Sequence, residues 1–316
     1  MLIKLKSESE KDKRHLRSYL EKKSRNFKIK FAFSCAEAIF TDKTEAASLA
    51  PKLEALDFVE EIYLSIEENV PFLISLKSGG KKGFLIVAGP CAVENEETYI
   101  KTVKILRKWG IVYIRGALYK PRRSPHTFQG LKELGVPLVE KARKRYGGEF
   151  VTEILSENDI KKMSRVFDVF QVGARNMRNY SLLRSLGKTG KKIILKRARG
   201  ASLDEWLMSA EYLVKEGARD IVLCERGDAG PGAKDSGINF NIAMKAGNIS
   251  GLPVIVDVTH SSGGPEYSFR SALATKAAGL GGFMIETHIS PKDAYVDGKY
   301  ALPLKKFRDL IKTLDV

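Results

Sequence analysis

The segment FLIVAGPC, residues 84–91, is a short apolar run that ends in a glycine, a proline and a thiol. Helix-type segments such as TYIKTVKILRKWG separate it from later runs of the same kind. Short, continuously apolar strands that alternate with helices are typical of a parallel sheet buried on both faces. Eight such units over about 230 residues match a (β/α)₈ TIM barrel, with a doubly wound open sheet as the alternative. The other seven runs are residues 112–120, 149–154, 169–174, 192–199, 220–227, 253–260 and 281–288.

Residues 1–66 follow a different order, with one strand, one helix, two strands, a second helix and a last strand. This is the order of a ferredoxin-like βαββαβ unit, a small α+β fold. Residues 67–82 run into KSGGKKG, residues 77–83, whose glycines and lysines suit an exposed linker. The sequence therefore predicts a ferredoxin-like domain at 1–66, a linker at 67–82 and a barrel at 83–316.

The composition is that of a folded protein with a strong basic excess. The chain has 316 residues, 43% of them hydrophobic, and a formal net charge of +16. The excess lies almost entirely after residue 80, where charges mostly alternate in sign along helix-type segments, without a zinc-finger or RNP-type signature. This pattern favours a solvated basic surface and a small anionic substrate over a nucleic-acid partner.

The chain shows neither an export signal nor a membrane span. Apolar runs stay well short of the roughly 18 residues that a membrane helix needs, and MLIKLKSESEKDK lacks the apolar stretch of a signal peptide. We therefore expect a cytoplasmic protein. Its three cysteines, Cys35, Cys91 and Cys224, cannot all pair, and in a reducing compartment they are core residues, metal ligands or reactive thiols.

Polar side chains stand at or just after the ends of most of the apolar runs, and the carboxyl ends of barrel strands meet at one face. One subset combines a thiol, an imidazole and carboxylates, a set that can hold a divalent Mn, Fe, Zn or Co ion. Taken singly, its members also have structural interpretations as a buried thiol, a satisfied histidine and a turn aspartate in VDGK. The subset is Cys91, His260, Glu286 and Asp297.

The second subset is cationic. A cation at the end of a buried strand loses hydration unless an anion meets it, so several together form a site for a multiply charged anion. Arginine offers bidentate contacts to phosphate or carboxylate, and lysine supplies a mobile charge. The alternative is internal salt bridges to Glu153 and Glu225. The cations are Arg115, Lys120, Arg122, Arg123, Arg175, Lys196 and Arg226.

Several motifs carry a family resemblance: AGPCAVENEE, RGALYKPRRSPHTFQGL, VTEI, QVGARNMRN, ILKRARG, LCERG, VDVTHSSGG and MIETHISPKDAYVDG. These motifs occur in the order and spacing of the type I phosphoenolpyruvate-dependent aldol synthases, which the chain therefore resembles. Within that family it is most similar to the short, β-type 3-deoxy-D-arabino-heptulosonate-7-phosphate (DAHP) synthases. The resemblance covers residues 84 to about 305. Residues 1–66 also resemble, by pattern alone, the ferredoxin-like regulatory domain of some members. This resemblance implies that the domain senses an aromatic amino acid; the alternative is that it serves only in oligomerisation.

The resemblance implies condensation of phosphoenolpyruvate with erythrose 4-phosphate, the release of phosphate, one divalent metal ion and a homo-oligomer, either a tetramer or a dimer. Lys120, Lys196 and His260 are then the catalytic candidates, the two lysines for proton handling. Cys91, His260, Glu286 and Asp297 correspond to the metal ligands. The aldose phosphate would meet Pro121, Arg122 and Ser124. Phosphoenolpyruvate would meet Arg115, Lys120, Ala174, Arg175, Lys196 and Arg226.

The chain departs from the family pattern at three places. Arg123 stands where relatives usually have threonine, and DAGPGAKDSGINFNIA replaces the expected stretch after ERG. VDVTH and IETH look more like 3-deoxy-D-manno-octulosonate-8-phosphate synthase, the relative that uses arabinose 5-phosphate. The aldose is therefore open between those of these two enzymes and that of a related synthase with another aldose-phosphate specificity. A third alternative is a non-catalytic, anion-binding paralogue, against which the four occupied ligand positions argue.

Overall fold

The computed structural model describes residues 1–76, 83–122, 124–228 and 237–315. They form two compact units, Met1–Ser75 and Leu76–Val316. Arg123 and residues 229–236, which hold two of the departures from the family pattern, lie outside the described residues.

The first unit is an antiparallel four-stranded sheet with helices, in strand order β2-β3-β1-β4. Its apolar core includes Ile3, Leu16 and Leu53, each of which has no exposed surface. The predicted βαββαβ order is confirmed. Two short helices follow within the range predicted as linker, and residues 77–82 of that range are not described. The elements are β1 (Leu2–Leu5), α1 (Glu10–Lys23), β2 (Phe27–Ala32), β3 (Cys35–Phe40), α2 (Lys43–Glu54), β4 (Val59–Tyr63), α3 (Ile66–Asn69) and α4 (Pro71–Ser75).

The second unit is a closed barrel of eight parallel strands, as predicted. Each strand pairs with its neighbours in chain order, and β11 pairs with β12 while β12 pairs with β5, which closes the sheet. The strands are β5 (Leu85–Gly89), β6 (Tyr113–Arg115), β7 (Glu149–Ile154), β8 (Val169–Val172), β9 (Lys192–Lys196), β10 (Ile221–Glu225), β11 (Val254–Asp257) and β12 (Gly282–His288).

A helix follows every barrel strand, and a short extra strand, β13 (Leu302–Pro303), pairs with the end of β12. Among the described residues, none of the helices has both the length and the apolar character needed to cross a bilayer. The helices are α5 (Glu96–Lys108), α6 (Val136–Tyr146), α7 (Glu157–Met163), α8 (Tyr180–Gly187), α9 (Leu203–Lys215), α10 (Phe240–Ser250), α11 (Pro265–Ala277) and α12 (Leu304–Leu314).

Branched side chains, one methionine and one thiol form a buried cluster to which seven of the eight strands contribute, so the barrel interior is a packed core and not a channel. Cys224 belongs to this cluster, which resolves its role as a core residue. The predicted strand 112–120 is shorter than expected, because the chain leaves the ladder after Arg115. Lys120 lies instead in a loop, where its backbone amide donates to Gln129 O at 2.9 Å.

Candidate active site at the carboxyl end of the barrel

The carboxyl ends of β5 and β6 approach each other closely, and this brings Cys91 and Arg115 to one mouth. Gly89, with φ +149°, has no room for a side chain, because a Cβ there would lie 2.2 Å from Arg115 O. Only glycine combines that conformation with this contact. The glycine of the AGPC motif is thus required by packing.

Three of the four predicted metal ligands form one group. One ligand atom from each of Cys91, Glu286 and Asp297 lies within 4.8 Å of the others, and Cys91 Sγ donates to Asp297 Oδ2 at 3.1 Å. Asp297 adopts a left-handed backbone, with φ +53°. The fourth residue, His260, lies beside the group, with its Nε2 3.6 Å from Glu286 Oε1.

Two properties of this group fit a bound cation. Glu286 Oε2 is buried and has no hydrogen-bond partner among the residues that the structure describes. Burial, and then the Glu286 carboxylate, raises the pKa of the Cys91 thiol well above its usual range, whereas a coordinated metal ion would stabilise the thiolate. A thiol with two carboxylates and an adjacent imidazole suits the divalent transition metals named above.

Asp257 connects the predicted metal group to the predicted anion site. Its Oδ2 accepts from Lys196 Nζ at 2.5 Å and lies 2.8 Å from His260 Nδ1. Burial opposes ionisation of Asp257, but its contacts with the His260 imidazole and the Lys196 ammonium outweigh burial and hold the pKa of Asp257 well below the usual range. Sequence reasoning missed this residue; the signal was an aspartate at the end of the buried strand VIVD, which requires a cationic partner.

The guanidinium of Arg115 is shared between the two predicted subsets. Its Nη2 donates to Glu286 Oε1 at 2.9 Å, and its Nη1 is buried without a hydrogen-bond partner in the described part of the chain. Burial disfavours the charge on Arg115, but Glu286 compensates, so the pKa of Arg115 is raised. The metal-type and anion-type groups therefore form one continuous site.

Lys120 reaches the same mouth from its loop, with Nζ 3.9 Å from Glu153 Oε2. Burial lowers the pKa of Lys120, but the Cys91 sulfur and the Glu153 carboxylate raise it further, so the ammonium form is favoured. The glycine in VGAR makes room for Glu153, because a Cβ at Gly173 would lie 2.0 Å from Glu153 Oε1.

Arg226 has no carboxylate partner among the residues that the structure describes. It is half-buried, and burial lowers the pKa of its guanidinium, with Asp257 opposing the shift. Arg175 is exposed, and its Nη1 donates to Pro121 O at 3.3 Å. Ala174 begins a short 3₁₀ turn immediately after β8. Arg226 and Arg175 thus supply positive charge that no carboxylate among the described residues pairs with.

The segment predicted for the aldose phosphate is a turn-rich loop. Ser124 organises it, since its Oγ accepts from His126 N at 3.3 Å and its carbonyl accepts from Thr127 Oγ1 at 2.9 Å. Arg122 is half-buried. Phe128, from the same loop, packs edge-on against Tyr295, next to the Asp297 segment, with 5.3 Å between ring centroids.

The alternative of internal salt bridges is realised in part: Glu153 takes part as expected, whereas Glu286 and Asp257 were not expected as partners. Glu286, Asp257 and Glu153 face Arg115, Lys196 and Lys120. The expectation that Glu225 serves this cluster is wrong, because Glu225 forms a bidentate pair with Arg197, at 2.5 and 3.0 Å. Sequence reasoning did not single out Arg197, which follows Lys196 directly in LKRAR. Successive side chains of an extended chain point to opposite sides, so Arg197 is expected on the other side from Lys196.

A closed parallel barrel with several cations and a thiol–carboxylate group at its carboxyl end defines an enzyme of the TIM-barrel class with a site for anions. The sequence model of the DAHP synthetase I family matches residues 61–315. The chain belongs to the DAHP synthetase I family, so the expected transferase class and family are confirmed.

Similar proteins agree with this assignment. The chain is 35% identical over 279 residues to a phospho-2-dehydro-3-deoxyheptonate aldolase of Thermotoga maritima, covering 84% of this chain and 82% of the relative. It is 31% identical over 261 residues to a 2-dehydro-3-deoxyphosphooctonate aldolase of Acidithiobacillus ferrooxidans, covering 77% and 92%. A crystal structure of the Thermotoga DAHP synthase superposes with a TM-score of 0.81 and 32% identity, covering 99% of this chain and 95% of that one.

Proposed function

We propose that this protein is a DAHP synthase that condenses phosphoenolpyruvate with erythrose 4-phosphate and releases phosphate. The observation that carries the proposal is the contact between Arg115 Nη2 and Glu286 Oε1, at 2.9 Å, which joins an anion site to a metal-type site. The family membership and the similarity to the Thermotoga DAHP synthase support it.

Phosphoenolpyruvate carries a carboxylate and a phosphate, which match the cations at the barrel mouth. Arg115 Nη1 has no hydrogen-bond partner and Arg226 has no carboxylate partner among the described residues, so both can bind the substrate. Lys120, Lys196, Arg175 and the backbone at Ala174 would complete this half-site. Pro121, Arg122 and Ser124 would contact the aldose phosphate. Fixed cations of this kind orient the substrate and offset its charge.

Cys91, Glu286, Asp297 and His260 would hold the divalent metal ion. When bound, the ion would act as a Lewis acid that polarises the aldehyde carbonyl. A reducing compartment such as the cytoplasm would keep the Cys91 thiol available as a ligand. The donor set does not distinguish Mn, Fe, Zn and Co.

In the reaction, C3 of phosphoenolpyruvate forms a bond to the aldehyde carbon, whose oxygen takes up a proton. Water then adds to C2, and the bond between C2 and the phosphate oxygen breaks. The raised pKa of Lys120 keeps its Nζ protonated, so Lys120 would offer positive charge and hydrogen bonds to the aldehyde oxygen as negative charge develops there. Lys196, held at 2.5 Å by Asp257, would act mainly as a fixed positive charge.

The experiment that tests the proposal is phosphate release from phosphoenolpyruvate with two aldoses in parallel. We expect turnover with erythrose 4-phosphate and much less with arabinose 5-phosphate. The reverse preference would identify a 3-deoxy-D-manno-octulosonate-8-phosphate synthase. Binding of phosphoenolpyruvate without turnover of either aldose would identify a non-catalytic paralogue and would refute the proposal.

We further propose that the first unit senses an aromatic amino acid and that the protein is a homo-oligomer. The ferredoxin-like topology and its resemblance to regulatory domains of the family support the sensing role. Inhibition by phenylalanine and tyrosine should be compared between the full chain and a chain that begins near Lys82. Identical inhibition of both would exclude the first unit as the sensor, and light scattering on both would show whether it sets the dimeric or tetrameric state.

A further inference from the structure

Glu94 lies outside every predicted set of site residues, although it follows Cys91 in the same motif. Its side chain is only 3% exposed. A buried carboxylate requires hydrogen-bond donors or positive charge around it, and Glu94 obtains them from a part of the chain about 200 residues away. Its Oε1 accepts from the backbone amides of Tyr295, at 2.8 Å, and Val296, at 3.2 Å.

The second oxygen of Glu94 faces the strand that carries Glu286. Glu94 Oε2 lies 3.6 Å from His288 Nε2. His288 Nδ1 accepts from Ser290 N at 3.1 Å, so the ring proton is on Nε2 and points to the carboxylate side. A single carboxylate thus touches the segments that contain Cys91, Glu286 and Asp297.

The segment just before Asp297 is held by packing and by hydrogen bonds. Val296 is buried in a small apolar cluster with Cys91 and Ala92, and Tyr295 packs edge-on against Phe128. Beyond Asp297 the chain is fixed by β13, where Leu302 O accepts from Thr287 Oγ1 at 2.7 Å. Before and around Asp297, residues such as Pro291, Ala294 and Gly298 line a cavity of about 990 Å³, together with residues of α11 and α12. The two amide bonds to Glu94 therefore add fixed polar contacts to the packing of this segment on the barrel.

We propose that Glu94 is a positioning residue: its carboxylate holds the amides just before Asp297 and thereby keeps the Asp297 carboxylate within reach of Cys91. The inference rests on the proposed metal site. It predicts that the reach of residue 94 matters more than its charge, because the two backbone amides need an acceptor at that position and an amide oxygen can replace a carboxylate oxygen.

Two substitutions in the full-length protein separate reach from charge. Glu94→Gln keeps the length and an acceptor oxygen, whereas Glu94→Asp keeps the charge and is one methylene shorter. Glu97→Gln, whose parent side chain makes an exposed ion pair with Lys101 at 2.5 Å, is the matched control. The readouts are Co²⁺ affinity, followed by thiolate-to-metal absorption, and hydrogen exchange of the Tyr295 and Val296 amides in the metal-free protein.

We expect Glu94→Asp to weaken Co²⁺ binding by about 10- to 100-fold, and Glu94→Gln and Glu97→Gln to stay within about threefold of the parent. Exchange of the two amides should accelerate in Glu94→Asp alone. The proposal would be overturned if Glu94→Asp bound Co²⁺ as tightly as the parent, or if Glu94→Gln lost tenfold or more in Co²⁺ affinity. The Glu94→Gln result tests the proposal even if Glu94→Asp does not fold. Failure of the parent to bind Co²⁺ would refute the metal site itself, while the exchange data would still report whether Glu94 holds the segment.

Discussion

Asp257 Oδ2 lies 2.8 Å from His260 Nδ1 and accepts from Lys196 Nζ on the same oxygen. A buried carboxylate next to Nδ1 places the ring proton there, which leaves the electron pair of Nε2 facing Glu286 at 3.6 Å. A cation between His260 Nε2 and the Glu286 carboxylate would stabilise both electron-rich groups. A histidine that binds a metal ion through one ring nitrogen usually donates from the other nitrogen to a carboxylate or carbonyl, as His260 does to Asp257.

Replacement of Asp257 by Asn should therefore affect both stability and metal binding. The change leaves the Lys196 ammonium buried without its counter-charge, so we expect a loss of about 3–5 kcal/mol in the free energy of unfolding. Metal affinity should fall by about 10- to 100-fold. Urea unfolding and metal titration measure the two effects, with Asp309→Asn on the exposed side of α12 as the control. Unchanged stability would mean that Lys196 is neutral or paired elsewhere.

Replacement of Arg226 by Met should separate binding from stability. The arginine is half-buried without a carboxylate partner among the described residues, so its removal should leave the free energy of unfolding unchanged or higher. Loss of a charged hydrogen bond to substrate should raise KM for phosphoenolpyruvate by about 10-fold or more. Arg270→Met, which removes an exposed pair with Glu266, is the control for kinetics. A destabilised variant with normal KM would assign Arg226 a structural role.

Removal of the metal ion should abolish turnover, and added divalent metal should restore it. Cys91→Ser should bind the ion more weakly than the parent, because a serine hydroxyl does not replace a thiolate ligand. Cys35→Ser, in the first unit, should behave like the parent. Activity after chelation and readdition, together with metal content of the two variants, tests this. Full activity of the chelated parent would contradict a metal-dependent mechanism.

Replacement of Tyr99 by Phe should stabilise the protein. Tyr99 is 1% exposed, and none of the described residues forms a hydrogen bond with its hydroxyl. An unsatisfied buried hydroxyl costs about 1–3 kcal/mol, and its removal leaves the ring in place against Gly116. We expect a gain of about 1 kcal/mol in urea unfolding, whereas Tyr267→Phe, at a position that is 61% exposed, should show none. A loss of stability in Tyr99→Phe would reveal a hydroxyl partner such as buried water.

Lys192 should make the stability of the barrel depend on alkaline pH. Its ammonium lies 3.5 Å from Asp220 and 3.8 Å from Glu149 at the amino end of β9, and it donates to the Tyr113 hydroxyl. Burial lowers the pKa of Lys192, but Tyr113 and Asp220 raise it more, so the net shift is upward. A raised pKa contributes stability below the unfolded value of about 10.4 that is lost as pH rises through the folded value. Between pH 9 and 11.5 the parent should therefore lose more stability than Lys192→Met, and equal losses would contradict this.

Much of the barrel could be predicted from local patterns. The run 84–91 and its seven successors predict strands because apolar continuity is a property of neighbouring residues, and all eight strands are present. The predicted end of the second run was wrong: the strand ends at Arg115, and the local pattern does not register the close contact that the next residue, Gly116, makes with Tyr99 of α5. The same pattern predicted that Cys91, Glu286 and Asp297 lie at one rim, because the carboxyl ends of parallel strands meet at one face, and the three residues are close together in the structure.

The sequence by itself determined the alternation of strands and helices, the family, and which residue types stand at the carboxyl ends of the strands. Only the tertiary structure decided the pairings among them: Arg115 with Glu286, Lys196 with Asp257, Arg197 with Glu225, and Glu94 with the amides before Asp297. The physical reason is range. Hydrophobic periodicity acts between residues a few positions apart, whereas a buried charge selects its partner by distance and desolvation after barrel closure has brought remote segments together.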